Sequence, residues 1–152
     1  MGVISGGDKL KAALDKIAAK LDKGGTLKVG FLAGATASDG QSLPLRAALN
    51  EFGHENSNGT TVPPRPFFRN MIAAKAGEWP DAIAGLLKST NYDVDKTLNL
   101  TGAGIAKQLR ESILDLWEPP LSPVTIAKKG HDKPLIETSD MINGVAFEVN
   151  TK

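Results

Sequence analysis

An α+β fold is predicted for this 152-residue chain, with several helices packed on a small β-sheet, plus extended loops and a stiff arm. Two observations carry the prediction. Apolar residues recur at spacings of three and four in most stretches, whereas alternation of apolar and polar residues marks only two short strands near opposite ends. No internal repeat and no low-complexity linker divides the chain, so residues 1–152 are expected to form one domain, long enough to bury a real core.

Element by element, Asp8 is placed to cap a first helix in which Leu10, Leu14, Ile17 and Leu21 share a stripe. Lys9, Lys11, Lys16, Lys20 and Lys23 occupy much of the other face, a pattern typical of a solvated surface. Gly24-Gly25 stops that helix. Leu27, Val29 and Phe31 then alternate with Lys28 and Gly30 as a half-buried strand. The Gly/Ala/Ser/Asp-rich segment 33–41 reads as a mobile loop. A short helix follows from Ser42 to Phe52, with Leu45, Leu49 and Phe52 on one side. The segment 53–61, with its Asn-Ser-Asn-Gly run, reads as an exposed, flexible loop, and 53–66 as loop and arm together.

A helix is expected from Pro66 or Phe67 to about Leu87, with Phe68, Met71, Ile72 and Trp79 as apolar positions. Pro80 either kinks it or opens a new helix. Another helix spans Val94 to Leu116 through Leu98, Ile105, Leu109 and Ile113, with Gly102 and Gly104 weakening its middle. Pro119-Pro120 ends it. Ser122-Pro123 looks like an N-cap and first helical residue of a short turn within an extended element over 117–134. Val145, Phe147 and Val149 mark the terminal strand. Residues 1–8 are expected to be a flexible N-terminus.

Composition excludes several functions. The net charge is +1, from 18 basic and 17 acidic side chains, too balanced for a protein that gains affinity by neutralising many phosphates. The chain contains no cysteine, which removes disulfide scaffolds, thiolate metal sites and cysteine nucleophiles. Met1–Asp8 lacks the apolar centre of a signal peptide, and no apolar run approaches the roughly 20 residues that span a bilayer. A cytosolic product, or one assembled there, is expected, with no membrane partner.

The segment Val62-Pro63-Pro64-Arg65-Pro66-Phe67-Phe68-Arg69 is the most distinctive. Three prolines in four residues stiffen the backbone into an extended path and bar it from a central strand. The arm delivers Phe67 and Phe68, with Arg65 and Arg69 on either side, against either the chain's own core or a neighbouring subunit.

Chemistry is sparse by comparison. His54, between Glu51 and Glu55, and His131, beside Asp132, fall in expected loops without the three or four ligands of a metal site. A nucleophile elbow and a phosphate loop are both missing, and Gly102-Ala-Gly104 lacks the spacing and preceding strand of a dinucleotide site. Glu137 and Asp140 form a nominal acid–base pair, for which turn capping is the simpler reading. Lys128, Lys129, His131 and Lys133 form a compact basic loop without aromatic stacking platforms. No catalytic residue, cofactor or metal ligand is assigned, and an enzyme is not expected.

Taken in order, several segments resemble a family. Val29-Gly30-Phe31-Leu32 with its following loop, Asn50-Glu51-Phe52-Gly53, the proline arm, Glu118 to Gly130 with Pro-Pro-Leu-Ser-Pro, and Lys133 to Met141 resemble neck and tail-completion proteins of long-tailed double-stranded DNA bacteriophages. The resemblance covers residues 27–149. Glu137-Thr138-Ser139 and Gly144-Val145 stand where many relatives read Asp-Thr-Gly followed by Ser-Ile. The pairing of Glu-Phe-Gly with Arg-Pro-Phe is central here, not C-terminal.

The resemblance implies a virion structural protein assembled in the host cytoplasm, forming a ring, often hexameric, at the head–tail junction. Its implied partners are further copies of itself, adjacent connector proteins and tail-tube or terminator proteins, with genomic DNA passing nearby and no sequence-specific binding. Neck, tail-completion, terminator and other minor tail roles remain open. Pro64, Arg65, Pro66, Phe67, Phe68 and Arg69, with Leu121, Pro123, Lys128 and Lys129, are the expected interface residues, since aromatic and arginine anchors dominate interface energies. The other readings are a small phage-encoded DNA-binding or regulatory protein and a small hydrolase using His54 and Glu51.

Overall fold

In the computed structural model, residues 6–116 and 139–152 are described. Helix α1 (Gly7–Asp22) starts one residue before the expected cap. Gly6 occupies the N-cap at φ 104 without a side-chain cap bond, and Asp8 lies in the first turn, where a carboxylate favours the positive end of the helix. The expected flexible N-terminus is therefore helical from Gly7. As expected, Gly24 ends the helix at φ 57. None of the residues of α1 is buried; Leu10 and Leu14 are 62% and 55% exposed.

Strand β1 (Gly25–Gly30) pairs antiparallel with the terminal strand β4 (Ala146–Thr151) in a two-stranded sheet. Leu27 faces Val149 and Val29 faces Phe147 across the ladder, which places these four side chains on one face of the sheet. Phe31 falls just outside the strand, and its ring meets Phe67 edge-on at 6.2 Å.

The segment 33–41, expected to be mobile, is instead held in place. Ala37 N–H donates to the Gln41 carbonyl at 2.8 Å and Leu43 N–H to that of Ala35 at 2.9 Å, closing a Thr36–Ser42 bridge. Ala37 is buried. Small residues signalled flexibility in the sequence, yet here smallness lets the loop pack.

Helix α2 (Leu43–Phe52) is capped by Ser42, whose Oγ accepts from Leu45 N–H at 3.4 Å. It buries Leu43, Ala47 and Glu51. The expected apolar side points the other way, with Leu45 and Phe52 59% and 67% exposed. The segment 53–61 is exposed but regular, since β2 (His54–Glu55) and β3 (Thr61–Val62) form a hairpin. Its turn closes through Asn56 N–H to the Thr60 carbonyl at 2.8 Å and Gly59 N–H to the Asn56 carbonyl at 2.9 Å.

The long helix expected after the proline arm is two helices. α3 (Phe67–Lys75) and α4 (Trp79–Ser89) are joined by a 3-10 turn over Ala76–Glu78, and Pro80 sits in the first turn of α4. Its missing N–H costs nothing there. The Trp79 indole donates to Gln108 Oε1 at 2.9 Å, tying α4 to α5 (Val94–Asp115). Asp93 Oδ1 caps α5 by accepting from Lys96 N–H at 3.0 Å.

Helix α5 is the spine of the domain and packs on β1, β4, α3 and α4. A Cβ on Gly102 would stand 2.8 Å from Leu27 Cδ1 and closer still to the Phe147 ring. The glycine read as a weakness is thus the point where helix and sheet approach. Helix α6 (Asp140–Asn143) precedes β4 and buries Met141. The core is built from Phe67, Met71, Ala106, Leu109, Ile113, Leu116, Met141 and Val145, with Leu43 and Ala47 from α2. The architecture is α+β, as expected.

The element over 117–134, including the Pro119-Pro120 stop and the Ser122-Pro123 turn, lies outside the described residues, as do residues 1–5.

Candidate functional site

Residues Asn50–Gly53 and Pro63–Arg69 lie far apart in the chain but form one structural unit. Glu51 follows Leu43 and Ala47 at four-residue intervals, so it faces inward and is only 5% exposed. Its carboxylate meets the start of α3. Oε2 accepts from Phe68 N–H at 2.9 Å, and Oε1 accepts from Arg69 N–H at 3.1 Å and from Arg69 Nε at 2.8 Å. Pro66, at the N-cap of α3, supplies no side-chain cap bond. Glu51 satisfies these otherwise unpaired amides from another helix and places negative charge at the positive end of α3.

Arg69 completes the clasp. Its Nη2 donates to the Glu51 carbonyl at 2.8 Å, and its guanidinium lies over the Phe52 ring, 5.1 Å from the centroid. Arg65 N–H donates to the Asn50 carbonyl at 2.7 Å, fixing the arm where it passes the end of α2. Gly53, at φ +73, has no room for a side chain, since a Cβ would stand 2.6 Å from the Val62 carbonyl oxygen and 2.8 Å from Pro64 N. Only glycine accommodates both that φ and that approach.

The expected interface residues therefore divide. Phe67 is fully buried, with its carbonyl accepting from Ser112 Oγ at 2.6 Å. Arg65 is 7% exposed, and its Nε has no hydrogen-bond partner among the described residues; burial pushes its pKa down. Both residues belong to the domain's own interior. Pro64 is exposed, Pro66 and Phe68 are half-buried, and Arg69 is exposed although tied to Glu51. Leu121, Pro123, Lys128 and Lys129 lie outside the described residues.

Phe68 and Phe52 line a mainly apolar groove of about 410 Å³ between β1 and α2, with Gly30, Pro44 and Ala48 also at its walls. Leu45, Leu49 and Phe52 continue the apolar surface along α2. Sequence reading grouped these three residues correctly but gave no sign that they face solvent. A glutamate on the stripe of Leu43 and Ala47 marks that stripe as polar in the sequence, and only its partners on α3 explain why it is the buried one. A larger hollow of about 600 Å³, beside Tyr92 and the end of α1, is lined by lysines and aspartates. It touches neither motif.

Among the described residues, His54, Glu51 and Asp140 are each engaged in separate structural contacts. His54 Nδ1 lies 3.4 Å from the Leu49 carbonyl, while Glu51 is engaged with Phe68 and Arg69. Asp140, the nominal acid of the Glu137 pair, accepts from Ser38 N–H at 3.1 Å and Ser38 Oγ at 2.8 Å and lies 3.8 Å from Arg46 Nη1. It anchors the 33–41 loop to α6; Glu137 and His131 lie outside the described residues. Arg46 also donates to Asp39 Oδ2 at 2.6 Å. The Gln41 N–H and then Arg46 lower the Asp39 pKa. Among the described residues no group of three His, Cys, Asp or Glu side chains is placed to hold a metal, and no helix is long and apolar enough to cross a membrane.

No family model, curated protein or solved structure matches the chain.

Proposed function

We propose that this chain is a structural component of a long-tailed bacteriophage particle, one subunit of a ring at the head–tail junction or the tail-completion site, acting by docking and not by catalysis. The carrying observation is the clasp between Asn50–Gly53 and Pro63–Arg69. Two of the segments that carry the resemblance meet through Glu51 and Arg69, so their joint presence has one physical cause. That cause is architectural, the capping and anchoring of α3, and its outer side carries Phe52, Phe68 and Arg69.

The surface suits a protein completed by neighbours. Leu45, Phe52, Leu10 and Leu14 are each more than half exposed, in two separate stripes on α2 and α1. Exposed apolar patches of this kind on a small domain mark interaction surfaces. A ring requires one patch to meet a different patch on the next copy. A near-neutral net charge suits a conduit that DNA must traverse without being held.

The test is electron microscopy of lysates from a phage lacking the gene. Filled heads beside finished, unattached tails are the expected result. Overlong or unfinished tails would instead point to tail completion or termination. Normal particles at normal yield would overturn the structural reading.

A further inference from the structure

The two-stranded sheet leaves both outer edges without a strand partner among the described residues. Six-residue strands in a two-stranded sheet are marginal by themselves, and an open edge is a template for another strand. Among the described residues α5 covers one face, and Leu27, Val29, Phe147 and Val149 on that face remain half-buried. Both the backbone and the inner face of this sheet call for an added strand.

The opposite face selects which strand. There β1 exposes Lys28 and β4 exposes Glu148, directly opposite each other in the ladder; Glu148 Oε1 also accepts from Asn150 Nδ2 at 2.8 Å. We propose that the β1 edge of one copy pairs antiparallel with the β4 edge of the next, joining the two-stranded sheets into a continuous intersubunit sheet. Repeating the intrachain register across the junction sets Lys28 against the next copy's Glu148, so charge alternates along the whole sheet. Pairing β1 with β1 instead brings the two Lys28 side chains opposite or diagonal to each other, and β4 with β4 does the same to Glu148. Like charges so placed are unfavourable.

The contact joins two different surfaces, so rotation about an axis propagates it, and the antiparallel order is kept from copy to copy. This inference deepens the ring reading proposed above and rests on it.

The chain has no cysteine, so single cysteines report on the junction directly. Full-length Lys28→Cys and Glu148→Cys chains are mixed at high concentration, oxidised and weighed by mass spectrometry. Cα atoms opposite each other across a ladder fall within disulfide range. The expected product is the mixed dimer, in excess over either homodimer. A second experiment uses native mass spectrometry. Lys28→Glu and Glu148→Lys should each lose the oligomer, and mixing the two should restore it, because every junction between unlike copies again sets a lysine against a glutamate. Far-UV circular dichroism checks that each variant folds.

Predominant homodimer linkage would overturn the inference in favour of two-fold pairing. Rings that persist in both charge variants without mixed linkage would overturn the edge contact and leave the ring reading intact. Failure to link at any concentration would also overturn the edge contact. The ring reading itself fails separately, on normal particles from a phage lacking the gene.

Discussion

Arg69 holds Glu51 at both ends, with Nε donating to the carboxylate and Nη2 to the backbone carbonyl, each at 2.8 Å. Glu51 also caps Phe68 and Arg69 N–H, so truncation uncaps α3 and strands buried donors together. Glu51→Ala should cost about 2–4 kcal/mol, combining a lost helix cap with hydrogen bonds to a charged acceptor. Arg69→Ala should cost less, since its side chain is 55% exposed and exposed ion pairs contribute little. Urea denaturation of both variants checks the order. Equal small losses would show that the clasp contributes little to stability.

Two neighbouring glycines in α5 should respond in opposite directions. Nothing lies within 4 Å of a Cβ at Gly104, whereas one at Gly102 meets Phe147 and Leu27. Gly104→Ala should stabilise by up to about 1 kcal/mol through helix propensity. Gly102→Ala should destabilise by about 1–3 kcal/mol through overpacking against the sheet. Thermal melts suffice, and a stabilising Gly102→Ala would contradict the close approach of α5 to β4.

That contrast marks how far the sequence was legible. Helix spacing and strand alternation reported α5, β1 and β4 well, because there the period reflects burial of one face; α1 and α2 were also placed, although their apolar stripes lie exposed. Which face is buried is decided by tertiary partners, and for α2 the sequence did not tell. Leu45, Leu49 and Phe52 are apolar at helical spacing, yet the inward stripe contains a glutamate. A buried carboxylate makes sense only once α3 is known to start beside it, a contact between residues 17 and 18 positions apart. The 33–41 loop misled for a similar reason, since its anchor is Asp140, 102 positions from Ser38. For the candidate site, the arm and the Glu-Phe-Gly segment stood out by composition. Their contact, and the division of the arm into a buried Phe67 and a half-exposed Phe68, did not.

Stability and docking should separate between Phe67 and Phe52. Phe67 is fully buried against Phe31 and Phe68, and Phe67→Ala should cost about 3–5 kcal/mol. Phe52 is 67% exposed, so Phe52→Ser should change chain stability by less than about 1 kcal/mol. In a complementation assay Phe52→Ser should nevertheless lower particle yield if the groove is a docking surface. A variant that melts normally and supports full yield would remove Phe52 from the interface. Phe67→Ala alone cannot decide the matter, because unfolding would also lower the yield.

The Asp39 carboxyl should titrate below the ordinary aspartate value of about 3.9, because the Gln41 N–H and the Arg46 guanidinium favour its charged form. A carboxyl lowered on folding adds stability that is present above its unfolded pKa and lost as pH falls through the folded one. The 33–41 segment should therefore hold its amide protection at neutral pH and lose it in acid, below pH 4, before the α5 core opens. Asp39→Asn should leave protection at pH 7 reduced and flatten its dependence on acid. Hydrogen exchange at Ala37 and Gly40, whose N–H groups close the loop, reads both effects. Ala37 and Gly40 exchange unchanged by Asp39→Asn would mean that Asp140, bonded to Ser38, holds the loop without help from the Asp39–Arg46 pair.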